Sequence, residues 1–590
     1  MNLQMNQKNI LERNNSIKWH LSWTIKGGKI CKGRENRALS FPFSEMLTVL
    51  ETSSFVPNSV EWIFFRKVRK NFIHLLNLLR THASYSLKTS FIKIDFLPWL
   101  KTRLFSFSVP TIEHHLRRII EKAYPSMRGK FPIEQPVSRE DVLKEDLLTL
   151  KDHCFPKDTL LAWERIEAGI YWEAVYSVVV NLFGINEHFK RFYSVHSVSQ
   201  VFAELPTNTS SGYPLFKPKG SEEARLDVVQ FVNSIYESVS IREMLSKLMS
   251  QPVVIFHRFT TKLKTLRDWG WDIDTKIRQV FGVSFRIMVL EGQIFDKFLS
   301  FIMKNGIWHS IGIRRTDVNS RVLALRYIAR STRRIVVCGD IKGIDKNLCS
   351  FLILTFFAVM MTLIPLRPIE FSILSCLALY HVVTPVLHAS GLHITCGGNI
   401  TGSKITALMN TFCLSVVVCY FYILVYNRAP MKDEYNVLGD DFILVIEEVD
   451  LERLYQVFHS FHFTLNRSKT KIVFNTFNDS IDYLGFSWNW RGFPDASDKW
   501  WMARCIYPER YVLDRHGLMG RAFIRLCSII FQIDRGKEIY YRLLDVFPKK
   551  SRKLVELGYD PLIEFIDKQG KTKLGKVPLS FLMSKGWRAY

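Results

Sequence analysis

The chain has 590 residues and a formal net charge of +25; 47% of its residues are hydrophobic and 13% aromatic. That apolar content excludes an intrinsically disordered chain, and so basic a balance points to a polyanion, nucleic-acid phosphate ahead of an anionic membrane surface. None of the ten cysteines pairs at the two-residue gap of a zinc knuckle or redox motif, so buried free thiols are expected rather than a disulfide framework.

The opening residues, "MNLQMNQKNILERNNSIKWHLSW", hold no apolar core suited to a signal peptide. Helical spacing of apolar residues follows in "SVEWIFFRKVRKNFIHLLNLLRTH" (59–82). Turn residues mark a loop at "TNTSSGYPLFKPKG" (207–220), and "RFTTKLKTLRDWGWDIDTKIRQVFGVSFR" (258–286) is strongly basic. A strand at "RRIVVCGDI" (333–341) leads into the apolar run 347–366, and a glycine-rich loop, "TCGGNITGSK" (395–404), into a second at 405–427. Both runs are long enough to cross a bilayer, but helices buried in a large protein have the same profile. A hairpin, "YNVLGDDFILVIEE" (435–448), then a helix (447–463), a strand "KIVF" and a paired-looking "DYLGFSWNWRGF" (482–493) complete the central region. The remainder is basic again, and no Pro/Ser-rich linker divides the chain.

Two adjacent carboxylates, Asp440 and Asp441, sit at the tip of that hairpin, where Gly439 supplies the freedom a tight turn needs. Neighbouring anions are costly to desolvate without a cation between them. A Gly-Asp-Asp triplet arises by accident in roughly one chain of this length in ten, so it needs company. Asp340 closes the strand about a hundred residues upstream, with Asp345 just beyond. Strand-end carboxylates gathered on one sheet edge suit divalent cations of the kind that assist nucleotidyl transfer. After the glycine-rich loop, Thr406 and Asn410 are four residues apart and share a helix face; an amide there can hydrogen-bond a ribose hydroxyl.

In order and internal spacing these residues resemble the viral RNA-dependent RNA polymerases of the picorna-like group, which carry D-x₄-D, then (S/T)G-x₃-T-x₃-N, then GDD. Here the three motifs are Asp340 with Asp345, Thr401-Gly402 with Thr406 and Asn410, and Gly439-Asp440-Asp441. "SSGYPLF" resembles the family's template-channel motif, "TKIRQVFGVSFR" its basic NTP-tunnel motif, and "YLGFSW" the strand-turn supporting the growing end. The finer likeness is to partitivirus- and picobirnavirus-like enzymes of double-stranded RNA viruses. Two departures stand out: Ile400-Thr401 replaces the usual Pro-Ser, and "IKGI" between the first two aspartates is less aromatic than is typical.

The resemblance implies an α+β fold, a closed right hand of fingers, palm and thumb with an antiparallel palm sheet and packed helices. The expected divisions are an N-terminal extension bridging fingers and thumb (1–90), fingers (91–320, returning at 366–399), palm (321–365 and 400–490) and thumb (491–590). It implies template-directed ribonucleotidyl transfer to an RNA 3′ end, replicating and transcribing a viral genome. Two Mg²⁺ ions, with Mn²⁺ the alternative, would be held by Asp340, Asp440 and Asp441. Asp345 and Asn410 would read the 2′ hydroxyl, with Thr401, Gly402 and Thr406 shaping that pocket. Lys276, Arg278 and Arg286 would hold the triphosphate, and Ser210, Ser211, Gly212, Tyr213 and Pro214 would meet template RNA. Lys469, with Lys471 as an equally basic neighbour, would protonate the leaving pyrophosphate. The implied partners are RNA template and product, NTPs and viral capsid protein, in the host cytoplasm and inside the virion, with no transmembrane segment. The rival readings are a reverse transcriptase-like polymerase and a non-enzymatic basic RNA-binding or membrane-associated viral protein.

Overall fold

The computed structural model describes residues 60–83, 91–92, 112–133, 137–154, 166–183 and 195–508, the last broken at 266–270, 306–307, 314, 389–390 and 475. Beyond these it describes 525–526, 529–530, 533–546, 559–566 and 572–576. Residues 1–59 and 84–90, which make up most of the expected N-terminal bridge, lie outside the described residues.

The helices that frame the site are α1 (Val60–Ala83), α2 (His114–Ala123), α3 (Phe285–Asn305), α4 (Arg315–Thr332), α5 (Ser350–Leu363), α6 (Pro368–Val382), α7 (Thr406–Tyr426) and α8 (Asp498–Ile506). The strands are β1 (Phe91–Ile92), β2 (Val253–Thr265), β3 (Trp271–Gly282), β4 (Ile335–Asp340), β5 (Val383–His388) and β6 (Gly391–Cys396), then β7 (Tyr435–Leu438), β8 (Asp441–Ile446) and β9 (Lys471–Val473). They form two sheets, one in the order β1-β6-β5-β2-β3 and the other, wholly antiparallel, in the order β7-β8-β4-β9.

The β7-β8-β4-β9 sheet sits against the two long apolar runs. α5 and α7 are apolar on every face because every face is covered: Phe351 to Met360 and Leu408 to Phe421 are buried almost without break. α7 carries Val416, Val417 and Val418 mid-helix, against their intrinsic preference, because packing outweighs propensity. α5 ends at Leu363 because Ile364 is in extended backbone before Pro365, whose ring disfavours helix in the residue preceding it. α1 lays its apolar stripe, Val68, Phe72, Leu75 and Leu79, on α5, with Phe72 and Phe351 ring centroids 4.8 Å apart and Asn71 Nδ2 donating to Thr362 Oγ1 at 3.0 Å. Of the expected bridging segment, the described part therefore packs on the helix that follows β4.

Among the described residues, a second long-range contact is made by the other sheet. β2 and β3 form a long antiparallel ribbon whose far end carries Leu263, Trp271 and Ile273. These side chains join Leu116, Ile119 and Ile120 of α2 and Trp501, Met502 and Cys505 of α8 in a second apolar cluster. Glu113 N–H donates to Ile506 O at 2.7 Å, and the Phe131 and Trp271 rings meet at 5.1 Å.

Candidate active site

Asp340 is the last residue of β4, and the register places it directly opposite Asp441, the first of β8; such cross-strand neighbours have Cα atoms about 4.5–5.5 Å apart. β7 and β8 are joined through only Gly439 and Asp440, since Leu438 pairs with Asp441. Gly439 has φ +64°, a conformation that strains any L side chain, although a Cβ there would meet only open space. The requirement is for backbone freedom rather than room. Its N–H donates to Thr411 Oγ1 of α7 at 3.0 Å, pinning the tip. Beneath the hairpin lies a buried polar knot that the sequence did not disclose: Tyr483 OH donates to Asn436 Oδ1 at 2.9 Å and meets Ser310 Oγ at 3.0 Å, and Ser310 Oγ also donates to Asn436 Oδ1. Ser310 N–H donates to Val437 O and Val437 N–H to Trp308 O, each at 2.9 Å, so the hairpin is held from both sides.

The carboxylates crowd one another. Burial, then Asp440 and Asp340, push the Asp441 carboxyl up to about 7. Burial, then Asp440, push Asp345 up to about 6, opposed by a hydrogen bond from Asn410 and by Arg278 and Lys276. Across from them on β3, Lys276 and Arg278 are two residues apart and so share a face. The Lys276 ammonium is held below its usual range by lost hydration first and then by Arg278 and Lys469, with Asp340 and Asp440 pulling the other way. Lys469 Nζ stands 3.5 Å from Asp340 Oδ2, whereas Lys471 Nζ is engaged by Ser480 Oγ at 2.7 Å and Asp482 Oδ1 at 3.0 Å. Among the described residues no three His, Cys, Asp or Glu side chains are already gathered into a ligand set. The donor chemistry nonetheless fits hard divalent cations: three carboxylates meet at one sheet edge, and burial, then the anionic neighbours, make one of them harder to ionise.

Beside this edge, Asp345 and Asn410 are brought together as expected, and Asn399 joins them, its Nδ2 2.5 Å from Asn410 Oδ1. Thr406 acts one step back: its hydroxyl donates to Ile400 O at 2.6 Å and Ser403 O at 2.9 Å, which closes the loop rather than touching the pair. Thr401 Oγ1 accepts from Phe281 N–H at 3.0 Å, and a Cβ on Gly402 would lie 1.8 Å from Phe281 O. These two residues dock the glycine-rich loop onto the end of β3. Glu291, fully buried in α3, secures the same loop by accepting from Ser403 Oγ at 2.8 Å and Lys404 N–H at 2.9 Å while pairing with His381 Nε2 at 2.9 Å.

A family pattern described as viral RNA-dependent RNA polymerase matches residues 156–513, more than half of the chain. The chain belongs to the viral RNA-dependent RNA polymerase family. Two solved structures share its fold. The RNA-dependent RNA polymerase of a human picobirnavirus superposes with a TM-score of 0.56 at 14% identity, over 81% of this chain and 93% of that one. An insertion-loop deletion mutant of a human picobirnavirus polymerase gives 0.55 at 15% identity, over 83% and 95%. No curated protein matches by sequence. The fold is thus the α+β right hand, and the activity is RNA synthesis on an RNA template, with NTPs as substrates and divalent cations as cofactors.

Several expected site residues of the polymerase have other work. Arg286 does not face the carboxylates: its guanidinium is buried in a two-pronged pair with Asp227, donates to Gln251 Oε1 at 3.1 Å and stacks 5.2 Å from the Phe231 ring. Of the template-channel motif, Ser211, Gly212 and Tyr213 are buried, and Phe285 N–H donates to Ser211 O at 2.9 Å, so the motif folds onto the start of α3. Only Ser210 is exposed, with Pro214 partly so. α7 is long and apolar enough to cross a membrane, but 89% of its most apolar window is buried inside the protein. Cys338, Cys349, Cys376, Cys413, Cys419 and Cys505 are free and buried, and burial pushes the Cys349 thiol up to about 11.

Proposed function

We propose that this polymerase extends RNA by a two-metal mechanism in which Asp340 and Asp440, assisted by Asp441, hold a pair of Mg²⁺ ions. The reading is carried by one observation: the strand register that sets Asp340 opposite Asp441, with Asp440 at the adjoining tip and Lys276 and Arg278 facing them. When bound, the ions supply Lewis-acid charge at the attacking 3′ oxygen and the departing pyrophosphate.

The chain's own groups do the rest. Lys276 and Arg278 orient the incoming triphosphate, fixed cations aimed where negative charge is redistributed. Asp345 and Asn410 engage the 2′ hydroxyl, the group that separates RNA from DNA precursors. Lys469, a solvent-reaching ammonium beside Asp340, donates the proton taken by the leaving pyrophosphate; the commitment of Lys471 to Asp482 favours this choice. In this reading the fingers comprise 91–320 and 366–399, the palm 321–365 and 400–490, and the thumb 491–590. The ribbon's contact with α8 then joins fingers to thumb. The enzyme would replicate and transcribe a viral RNA genome in the host cytoplasm or within the virion, in company with capsid protein.

The test is synthesis from a single-stranded RNA template with labelled NTPs and Mg²⁺, beside Asp440→Asn and a chelator control. Product from the wild type alone supports the reading; equal product from Asp440→Asn removes it. Comparing rNTP with dNTP incorporation on the same template separates it from reverse transcription.

A further inference from the structure

The loop between β6 and α7 holds a residue that neither the motif spacing nor the proposed roles employ. Asn399 is 2% exposed and touches both members of the ribose-reading pair. Its backbone N–H donates to Asp345 O at 2.7 Å, and its side-chain Nδ2 donates to Asn410 Oδ1 at 2.5 Å and to Thr406 O at 3.4 Å. Its own Oδ1 is buried without a hydrogen-bond partner.

The chemistry of these contacts allows only one polarity. The Thr406 carbonyl is purely an acceptor, so Asn399 must present its NH₂ there and to Asn410. Asn410 must then answer with its oxygen, which turns its own NH₂ towards Asp345, the hydrogen bond that side chain receives. The ionised Asp345 carboxylate, likewise only an acceptor, demands the same orientation from the other end. A flipped Asn410 would set two NH₂ groups against each other at Asn399 and two oxygens against each other at Asp345. A side-chain amide has nearly the same shape either way round, so Asn410 alone could rotate when a nucleotide arrives. The neighbour removes that freedom.

We infer that Asn399 is a positioning residue for sugar selection: through its contacts with Asp345, Thr406 and Asn410 it fixes which end of the Asn410 amide faces the incoming ribose. The inference rests on the reading that Asp345 and Asn410 engage the 2′ hydroxyl. Leaving Oδ1 unpartnered is the cost of that arrangement.

The experiment is single-nucleotide incorporation on an RNA template, giving kcat/KM for each rNTP and its dNTP, in the wild type, Asn399→Asp, Asn399→Ala and Asn410→Ala. Asn399→Asp is isosteric but accepts only, so it draws the Asn410 NH₂ away from Asp345; Asn399→Ala removes the constraint together with the orphaned oxygen. Both should lower the rNTP-over-dNTP ratio by roughly tenfold or more, the worth of a hydrogen bond to a charged group. Adding Asn399→Asp to Asn410→Ala should lower it no further. If Asn410→Ala collapses selectivity while the Asn399 variants keep it, the inference fails and the pocket reading stands. If Asn410→Ala keeps selectivity, the pocket reading itself fails. Equal losses for rNTP and dNTP in the Asn399 variants would overturn the inference by marking a structural role. Should Asn399→Asp not fold, the alanine variant carries the same comparison.

Discussion

Replacing Asp441 with asparagine should weaken RNA synthesis yet stabilise the fold, and the pH dependence of that gain follows from the site. Burial and two neighbouring carboxylates raise Asp441 from 3.8 to about 7. Because the folded-state value lies above the unfolded one, ionising this group opposes folding. The penalty is absent below the unfolded value, grows through the interval up to about 7 and is complete above it. Some three units at about 1.4 kcal/mol each give ~4 kcal/mol. Asp441 keeps part of its surface in water, and screening reduces this to roughly 1–2 kcal/mol. In a chelator-containing buffer at pH 8, Asp441→Asn should melt about 1–2 °C above the wild type, and the gap should narrow steadily towards pH 4.5. Scanning fluorimetry across that range reads it directly. Adding Mg²⁺ at pH 8 should raise the wild-type midpoint more than the variant's, since a ligand bound only by the folded state stabilises it. Equal midpoints at pH 8, or an advantage that persists undiminished on acidification, would refute the like-charge crowding.

Three further perturbations separate the site from its supports. Lys469→Ala should lower kcat about 100-fold, the usual scale for losing a general acid, while Lys471→Ala stays within a few-fold; the reverse order in single-turnover assays would exchange their roles. Gly402→Ala forces a methyl group to within 1.8 Å of Phe281 O, so it should destabilise by ~3 kcal/mol or more, seen as lost soluble yield or a lower denaturation midpoint. Arg286→Ala leaves the half-buried Asp227 unpaired and should cost ~1–3 kcal/mol of stability without raising the KM for NTPs; a raised KM in folded protein would return Arg286 to the substrate channel.

What was legible in the sequence is what strand geometry makes local. Asp340 ends one strand, Asp440 closes a two-residue turn and Asp441 begins the next strand, so a hydrophobic pattern with carboxylates at its ends is enough to place them on one edge. The basic run after residue 258 was readable as a group but not residue by residue. Lys276 and Arg278 lie on one face of β3, whereas Arg286 falls two residues into α3, where Asp227, fifty-nine positions away, claims it. Charge alone cannot tell a cation that faces an open site from one already paired with a carboxylate on another helix. The hydroxyls of "SSGYP" were equally hard to separate: Ser210 is exposed, whereas Ser211 Oγ accepts from Lys217 N–H at 3.1 Å within the loop itself. The Ser310–Asn436–Tyr483 knot had no signal at all, being three common polar residues up to 173 positions apart. Leu263 and Ile273 show a contact with no sequence signal: in a run that reads only as basic, they pack at the ribbon's end against side chains of α2 and α8, far away in the chain.

The ribbon from Val253 to Gly282 has a mechanical corollary. It is a stiff two-stranded beam, clamped at one end by β5 and at the other by the aromatic and aliphatic side chains around Trp501, with Lys276 and Arg278 carried along its span. A shift of α8 is therefore felt where the ammonium and guanidinium groups face the carboxylates: the seating of one end of the beam and the spacing between cations and anions along it are settings of a single lever.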